Sequence, residues 1–197
     1  MANLAILLVP YYNTFAPSEV RPYCLNYTNS SGELASTRFI HNANGQITKA
    51  LYQLITGQRS SVNLHEFDSS GRMVRKFRKY SDGETSEELF NYDKSGKLTD
   101  ELFTDSSGVS GRAVYEYDGQ GNAALMLCEG YKGWFTGTIQ FAFDRAGKRV
   151  SGSIQKNGET VGSIEYKYEG GTNLVLERWK TSDGWSQTLN YVYESAD

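Results

Sequence analysis

Along much of the chain, apolar and polar residues alternate one by one. In Ser163-Ile164-Glu165-Tyr166-Lys167-Tyr168, the set Ile164, Tyr166 and Tyr168 falls on one side and Ser163, Glu165 and Lys167 on the other. Ile139, Phe141 and Phe143 keep the same phase, as do Leu189, Tyr191 and Tyr193, Phe90 with Tyr92, and Tyr115 with Tyr117. A period of two belongs to a β-strand with one dry and one wet face. The strands between these are less regular, as in Lys97-Leu98-Thr99-Asp100-Glu101-Leu102-Phe103. They still place Met73, Leu98 and Ala123 two positions after a glycine.

Each aromatic strand ends in an acid. The acids at 68, 93, 118, 144, 169 and 194 are 25, 25, 26, 25 and 25 residues apart, and a weaker copy lies around Asn42. A second ladder runs out of phase with the first, through Gly32, Gly57, Gly83, Gly108, Gly133, Gly158 and Gly184. Two turn signals per period leave room for two strands of ordinary length, so the repeat is a β-hairpin. In Asp93-Lys94-Ser95-Gly96, Asp118-Gly119-Gln120-Gly121 and Asp144-Arg145-Ala146-Gly147 the acid leads and glycine closes, and Asp68 with Gly71 repeats the pattern. Aspartate can bond the backbone two residues on, and glycine accepts positive φ, which together specify a type I turn closed by a glycine bulge. These acids are therefore structural turn residues rather than metal ligands. Glu169-Gly170-Gly171-Thr172 brings glycine one position early and predicts a differently shaped turn.

The expected fold is all-β: a single antiparallel meander of about 14 strands over residues 1–197, built from about seven hairpin repeats. The repeats are clearest over 38–194, and residues 1–30 form an atypical N-terminal cap. So wide a sheet must curl, split or close, and its aromatic face must be covered. A rolled or strongly twisted sheet with a dry inner face is the expected arrangement, with a two-layer fold-over and a closed barrel as alternatives.

Composition narrows the function classes. Fourteen Tyr and nine Phe with twenty Gly and three Pro suit strands and turns. A net charge of −3 offers no basic footprint for nucleic acid. Cys24 and Cys128 are too few for a disulfide scaffold and show no metal-ligand spacing, so free thiols are expected, with one bridge as the alternative. No cofactor motif is present. The apolar run Leu4–Val9 lacks a charged leader, stops at Pro10 and reads as a first strand rather than a secretion signal or membrane span.

Tyr92-Asp93-Lys94-Ser95-Gly96-Lys97-Leu98 resembles the YD repeat of bacterial Rhs-type and wall-associated proteins, Tyr-Asp-x-x-Gly followed by a basic and an apolar residue, and Tyr117-Asp118-Gly119-Gln120-Gly121 matches its first half. Paired aromatics before a turn glycine are also similar to the MORN-like repeat of antitoxin-like proteins. The resemblance covers about residues 38 to 194, with Glu replacing Asp in the last two copies. It implies hairpin architecture and a scaffold or interaction role. It also implies a secreted or cell-envelope setting, of the kind seen in similar Bacteroidota proteins; a cytoplasmic setting stays open.

The expected function is a non-catalytic binding or scaffold module for a protein or glycan. Trp134 and Trp185 follow the second turn glycine in two copies, about 19 Å apart if four strands separate them, and with Tyr131 they form a candidate stacking platform. The competing reading is that they cap the core at the rim; Trp179, inside a strand, reads as core. Alternatives are a carrier of a lipid or other apolar guest, an antitoxin- or immunity-like partner protein and, last, a carboxylate-dependent glycan-active enzyme. His41 and His65 sit in no recognisable catalytic context, and the pairs Glu87/Glu88 and Asp100/Glu101 each point to opposite faces of a strand.

Overall fold

The computed structural model describes residues 21–131 and 135–193, with Val109 described by its backbone alone. Its strands are β1 (Cys24–Asn29), β2 (Leu34–His41), β3 (Ile47–Leu54), β4 (Ser60–Phe67), β5 (Met73–Tyr80), β6 (Thr85–Tyr92) and β7 (Leu98–Asp105). They continue as β8 (Gly108–Tyr117), β9 (Ala123–Gly130), β10 (Gly137–Phe143), β11 (Arg149–Lys156), β12 (Glu159–Glu169), β13 (Asn173–Thr181) and β14 (Ser186–Val192). Each strand pairs antiparallel with its neighbours in sequence, and β1 pairs with β14 from Cys24 opposite Val192 to Asn29 opposite Gln187. The meander is thus a closed barrel, the arrangement that removes both sheet edges. Strand β1 falls within the first 30 residues, and the run Leu4–Val9 lies outside the described residues.

The acid turns form as the sequence predicts. Asp93 Oδ1 accepts the N–H groups of Ser95 at 2.8 Å and Lys97 at 3.0 Å, and Gly96 takes φ 87°. Asp68, Asp118 and Asp144 repeat these bonds with Gly71, Gly121 and Gly147, and Asn42 substitutes for the acid in the first copy. In the divergent copy Gly170 and Gly171 both take positive φ.

The repeat consensus has a physical basis beyond the turn. The hydroxyls of Tyr92, Tyr117 and Tyr193 donate to the carbonyls of Met73, Leu98 and Leu174, at 2.7, 2.9 and 2.9 Å. The basic residue after the turn glycine covers a tyrosine ring of the next repeat: Arg72 over Tyr92 and Lys97 over Tyr117, both at 4.8 Å. The apolar residue that follows is buried at Ile47, Met73, Leu98, Ala123 and Leu174.

One extra residue enters each strand just after the acid turn. Tyr92 faces Leu98, but Asn91 faces Asp100, so Thr99 is a bulge. A bulge inverts the alternation beyond it. Leu98, Glu101 and Phe103 therefore point inward while Asp100 and Leu102 point outward. The same shift recurs in β3, β5, β9, β11 and β13.

A circular barrel of this strand number would enclose an open lumen. Instead Ile139, Ile154, Leu174 and Trp179 are almost wholly buried, so side chains fill the interior around them. The outer face carries ion pairs, Arg75 with Glu66 at 2.7 Å and with Glu87, and Arg178 with Glu165 at 3.3 Å. A dry interior and a charged exterior are the reverse of the polarity of a transmembrane barrel. No helix among the described residues is long and apolar enough to cross a membrane.

Candidate functional site

The repeat places inward side chains in columns, and the departures from apolar residues stand out there. One column reads Ala50, Lys76, Glu101, Met126, Gly152, Glu177, and a second reads Phe39, His65, Phe90, Tyr115, Phe141, Tyr166, Tyr191. In the column that follows the turns, Arg149 takes the place held by Leu98 and lies 3.7 Å over the Phe141 ring.

The polar residues gather on the inner wall of β4 to β8. Lys76 Nζ donates to Glu88 Oε1 at 2.6 Å, and this pair is almost entirely buried. Beside it the Tyr115 hydroxyl donates to Glu101 Oε1 at 2.9 Å. His65 Nδ1 donates to the Ile47 carbonyl at 2.7 Å, which places a proton on Nδ1. Burial, with Lys76 close by, lowers the His65 pKa to about 4. Desolvation also lowers Lys76 to about 8, although Glu88 opposes the shift. Burial and the Glu88 charge raise Glu101 to about 8, against the Tyr115 hydrogen bond.

Glu88 Oε2 and Glu101 Oε2 are buried and accept no hydrogen bond among the described residues. Both residues border a pocket with a free volume of about 20 Å³, room for about one water. Phe103, Gly111, Ala113, Cys128, Gly130 and Phe135 also line it, with the outward-facing Arg112 and Glu129 at its edge. Gly111 faces Gly130 across β8 and β9, and two absent side chains open the wall there. Phe135 folds in over the gap: a Cβ on Gly137 would come within 2.6 Å of its ring, so glycine is what admits it. The buried Cys128 thiol is raised to about 12 and stays protonated.

The same constellation recurs 76 residues on, in complete form. Glu177 repeats Glu101, and Tyr191 repeats Tyr115, donating to Glu177 Oε2 at 3.1 Å. Trp179 replaces Phe103, and its indole N–H donates to Glu177 Oε1 at 2.8 Å. Gln187 and Leu189 replace Gly111 and Ala113, and both are buried. The second site is therefore filled and both carboxylate oxygens are bonded. Burial raises Glu177 to about 7, against its bonds from Trp179 and Tyr191.

No known protein family matches the chain. No curated protein matches it either. Among solved structures, a porin-like protein from Bacteroides uniformis ATCC 8492 is 8% identical over 88% of this chain and 98% of that one, with a TM-score of 0.49. The TcdB2-TccC3-Cdc42 complex aligns with 83% of this chain at 16% identity and a TM-score of 0.36. The Photorhabdus luminescens Tc holotoxin pore aligns with 82% at 16% identity and a TM-score of 0.35. This chain spans only about a tenth of the length of those toxin chains. At this level of similarity none of the three assigns an activity.

The residues singled out from sequence fall at the rim. Trp185 is half-buried and packs against the core, at the turn between β13 and β14. Tyr131 is exposed, and its N–H donates to Ser110 at 2.8 Å. Trp134 lies outside the described residues. Phe135, between β9 and β10, lines the pocket beside the buried acids. Of the carboxylate pairs, one member of each faces inward: Glu88 and Glu101 share the interior while Glu87 and Asp100 face out. Cys24 and Cys128 are both free thiols.

Proposed function

We propose that the protein is a non-catalytic binding scaffold, a YD-like array at the cell envelope that docks a protein partner on the outer wall of β4 to β9. The observation that carries this reading is a facing pair at one repeat position. Leu64 faces Phe77, Leu89 faces Leu102 and Val114 faces Leu127 in three successive hairpins. At the same position the remaining hairpins place Arg38 opposite Leu51, Gln140 opposite Ser153 and Glu165 opposite Arg178. Leu64, Leu89 and Leu127 are 45%, 37% and 37% exposed. Six adjacent strands thus carry these apolar residues across about 24 Å, with the ion pairs Arg75–Glu87 and Arg112–Asp100 between the hairpins, while the matching positions on the other side of the barrel are mostly polar. Exposed apolar side chains grouped in this way mark interaction sites. The mostly aliphatic side chains of this set suit a protein rather than a sugar ring. The filled interior favours this reading over a carrier, and a one-water pocket is too small for a glycan substrate.

The test is a photo-crosslinking residue placed at Leu89 or Leu127, and at Gln140 or Asn190 as controls, in cells of the source organism. A discrete adduct from the first two positions alone is expected, and Leu64→Ser/Leu89→Ser should abolish it. Equal adducts from all four positions, or none from Leu89 and Leu127, would overturn the proposal.

A further inference from the structure

The two repeated carboxylate sites differ in what supplies the last hydrogen bond. At Glu177 it is the indole of Trp179, and Gln187 and Leu189 close the space around it. At Glu101 the equivalent residue is Phe103, which has no donor, and Gly111 and Ala113 leave the pocket. Glu101 and Glu88 both line this pocket, their Oε2 atoms have no bond among the described residues, and both side chains are more than nine-tenths buried. Lys76 offsets one of the two carboxylates directly. Buried acceptors of this kind are costly unless a donor reaches them.

We propose that the pocket bounded by Glu88, Glu101, Phe103, Cys128 and Phe135 is a binding site for a small hydrogen-bond-donating cation, an ammonium ion or the head of a primary amine. The chemistry follows from the lining. The two carboxylate oxygens without a bond ask for donors, and a bound cation would favour the ionised form of Glu101 that burial and Glu88 disfavour, acting in the same direction as Lys76 and the nearby Arg149. Phe103 and Phe135 present aromatic rings, which favour a cation over an anion. The volume admits one small head group and excludes a quaternary ammonium. Phe135 lines the pocket and is itself buried.

The test uses the full chain. Thermal unfolding is followed in ammonium, methylammonium, potassium and tetramethylammonium chloride at equal ionic strength. Ammonium should raise the midpoint saturably, by about 3–6 °C at ten times its dissociation constant; methylammonium acting likewise would identify an amine head as an accepted source. Potassium and tetramethylammonium should leave the midpoint unchanged. Phe103→Trp, which copies the donor of the Glu177 site, should remove the ammonium effect while every carboxylate remains. Glu101→Gln should remove it as well, and serves if the larger indole does not fit. Equal midpoints in all four salts mean that the pocket holds water only and overturn the proposal. A rise with potassium equal to that with ammonium also overturns it, because potassium donates no hydrogen bond. Full retention of the ammonium effect in Glu101→Gln does the same.

Discussion

The Glu101 and Glu177 regions are one design in two conditions. Both place a carboxylate on an inward column, and both satisfy one oxygen with a tyrosine hydroxyl from the neighbouring strand. At Glu177 a tryptophan completes the bonding and larger neighbours exclude solvent. At Glu101 a phenylalanine, a glycine and an alanine leave one oxygen and a small space, and the ion pair of Lys76 with Glu88 stands alongside. The difference shows that a repeat array can bury a charge at any copy, because the backbone and the tyrosine come with the repeat. The surrounding side chains decide whether that charge is a closed structural group or an open one.

The largest break in this comparison should come from Lys76→Met. It removes the cation that Glu88 pairs with and leaves that carboxylate buried without its partner, a loss of about 3–5 kcal/mol. Urea unfolding measures it, and the Glu177 region has no counterpart to lose. Adding Glu88→Leu should recover most of the loss, since the pair then goes as a unit. A single variant within about 1 kcal/mol of the parent would show that Glu88 does not depend on Lys76.

Trp179→Phe converts the closed site towards the open one. It deletes the indole donor to Glu177 Oε1 and leaves a void in the core, at a cost of about 2–4 kcal/mol. The same measurement on Phe77→Tyr, an outward change elsewhere on the barrel, should differ from the parent by less than about 0.5 kcal/mol. If the two variants behaved alike, the indole bond would not be what completes the Glu177 site.

The fold was largely legible because the repeat is written in residues with local reasons. Asp93 and Gly96 specify a turn wherever they occur, and Tyr115, Tyr166 and Tyr191 alternate cleanly onto the dry face. Closure was not legible: pairing of β1 with β14 depends on the stagger accumulated around the whole sheet, and no local motif encodes it. The buried acids were hidden by the bulge. Counting by twos from Leu98 puts Asp100 and Leu102 inside, whereas the extra residue at Thr99 sends Leu102 out and Glu101 in. The same inversion brings Lys76 inside and turns Phe77 and Leu127 outward. Aligning the repeats in columns was the signal available, since Lys76, Glu101 and Glu177 recur at one position.

The finest separation of the two sites is their response to pH. Both carboxylates hold their proton more tightly folded than unfolded, Glu101 at about 8 and Glu177 at about 7 against an ordinary 4.5. The folded state therefore binds more protons between those limits, and each group lowers stability as pH rises from 4.5 to its folded value, with no further change above it. A glutamine at either position removes that loss. Glu101→Gln and Glu177→Gln should each gain on the parent from pH 4.5 upward, with Glu177→Gln levelling near 7 and Glu101→Gln near 8. The extra unit corresponds to about 1.4 kcal/mol in favour of Glu101→Gln at the plateau. Denaturant unfolding from pH 5 to 9 reads both curves. Coincident plateaus would mean that the missing donor at Glu101 carries no electrostatic consequence, and that the two sites differ in shape alone.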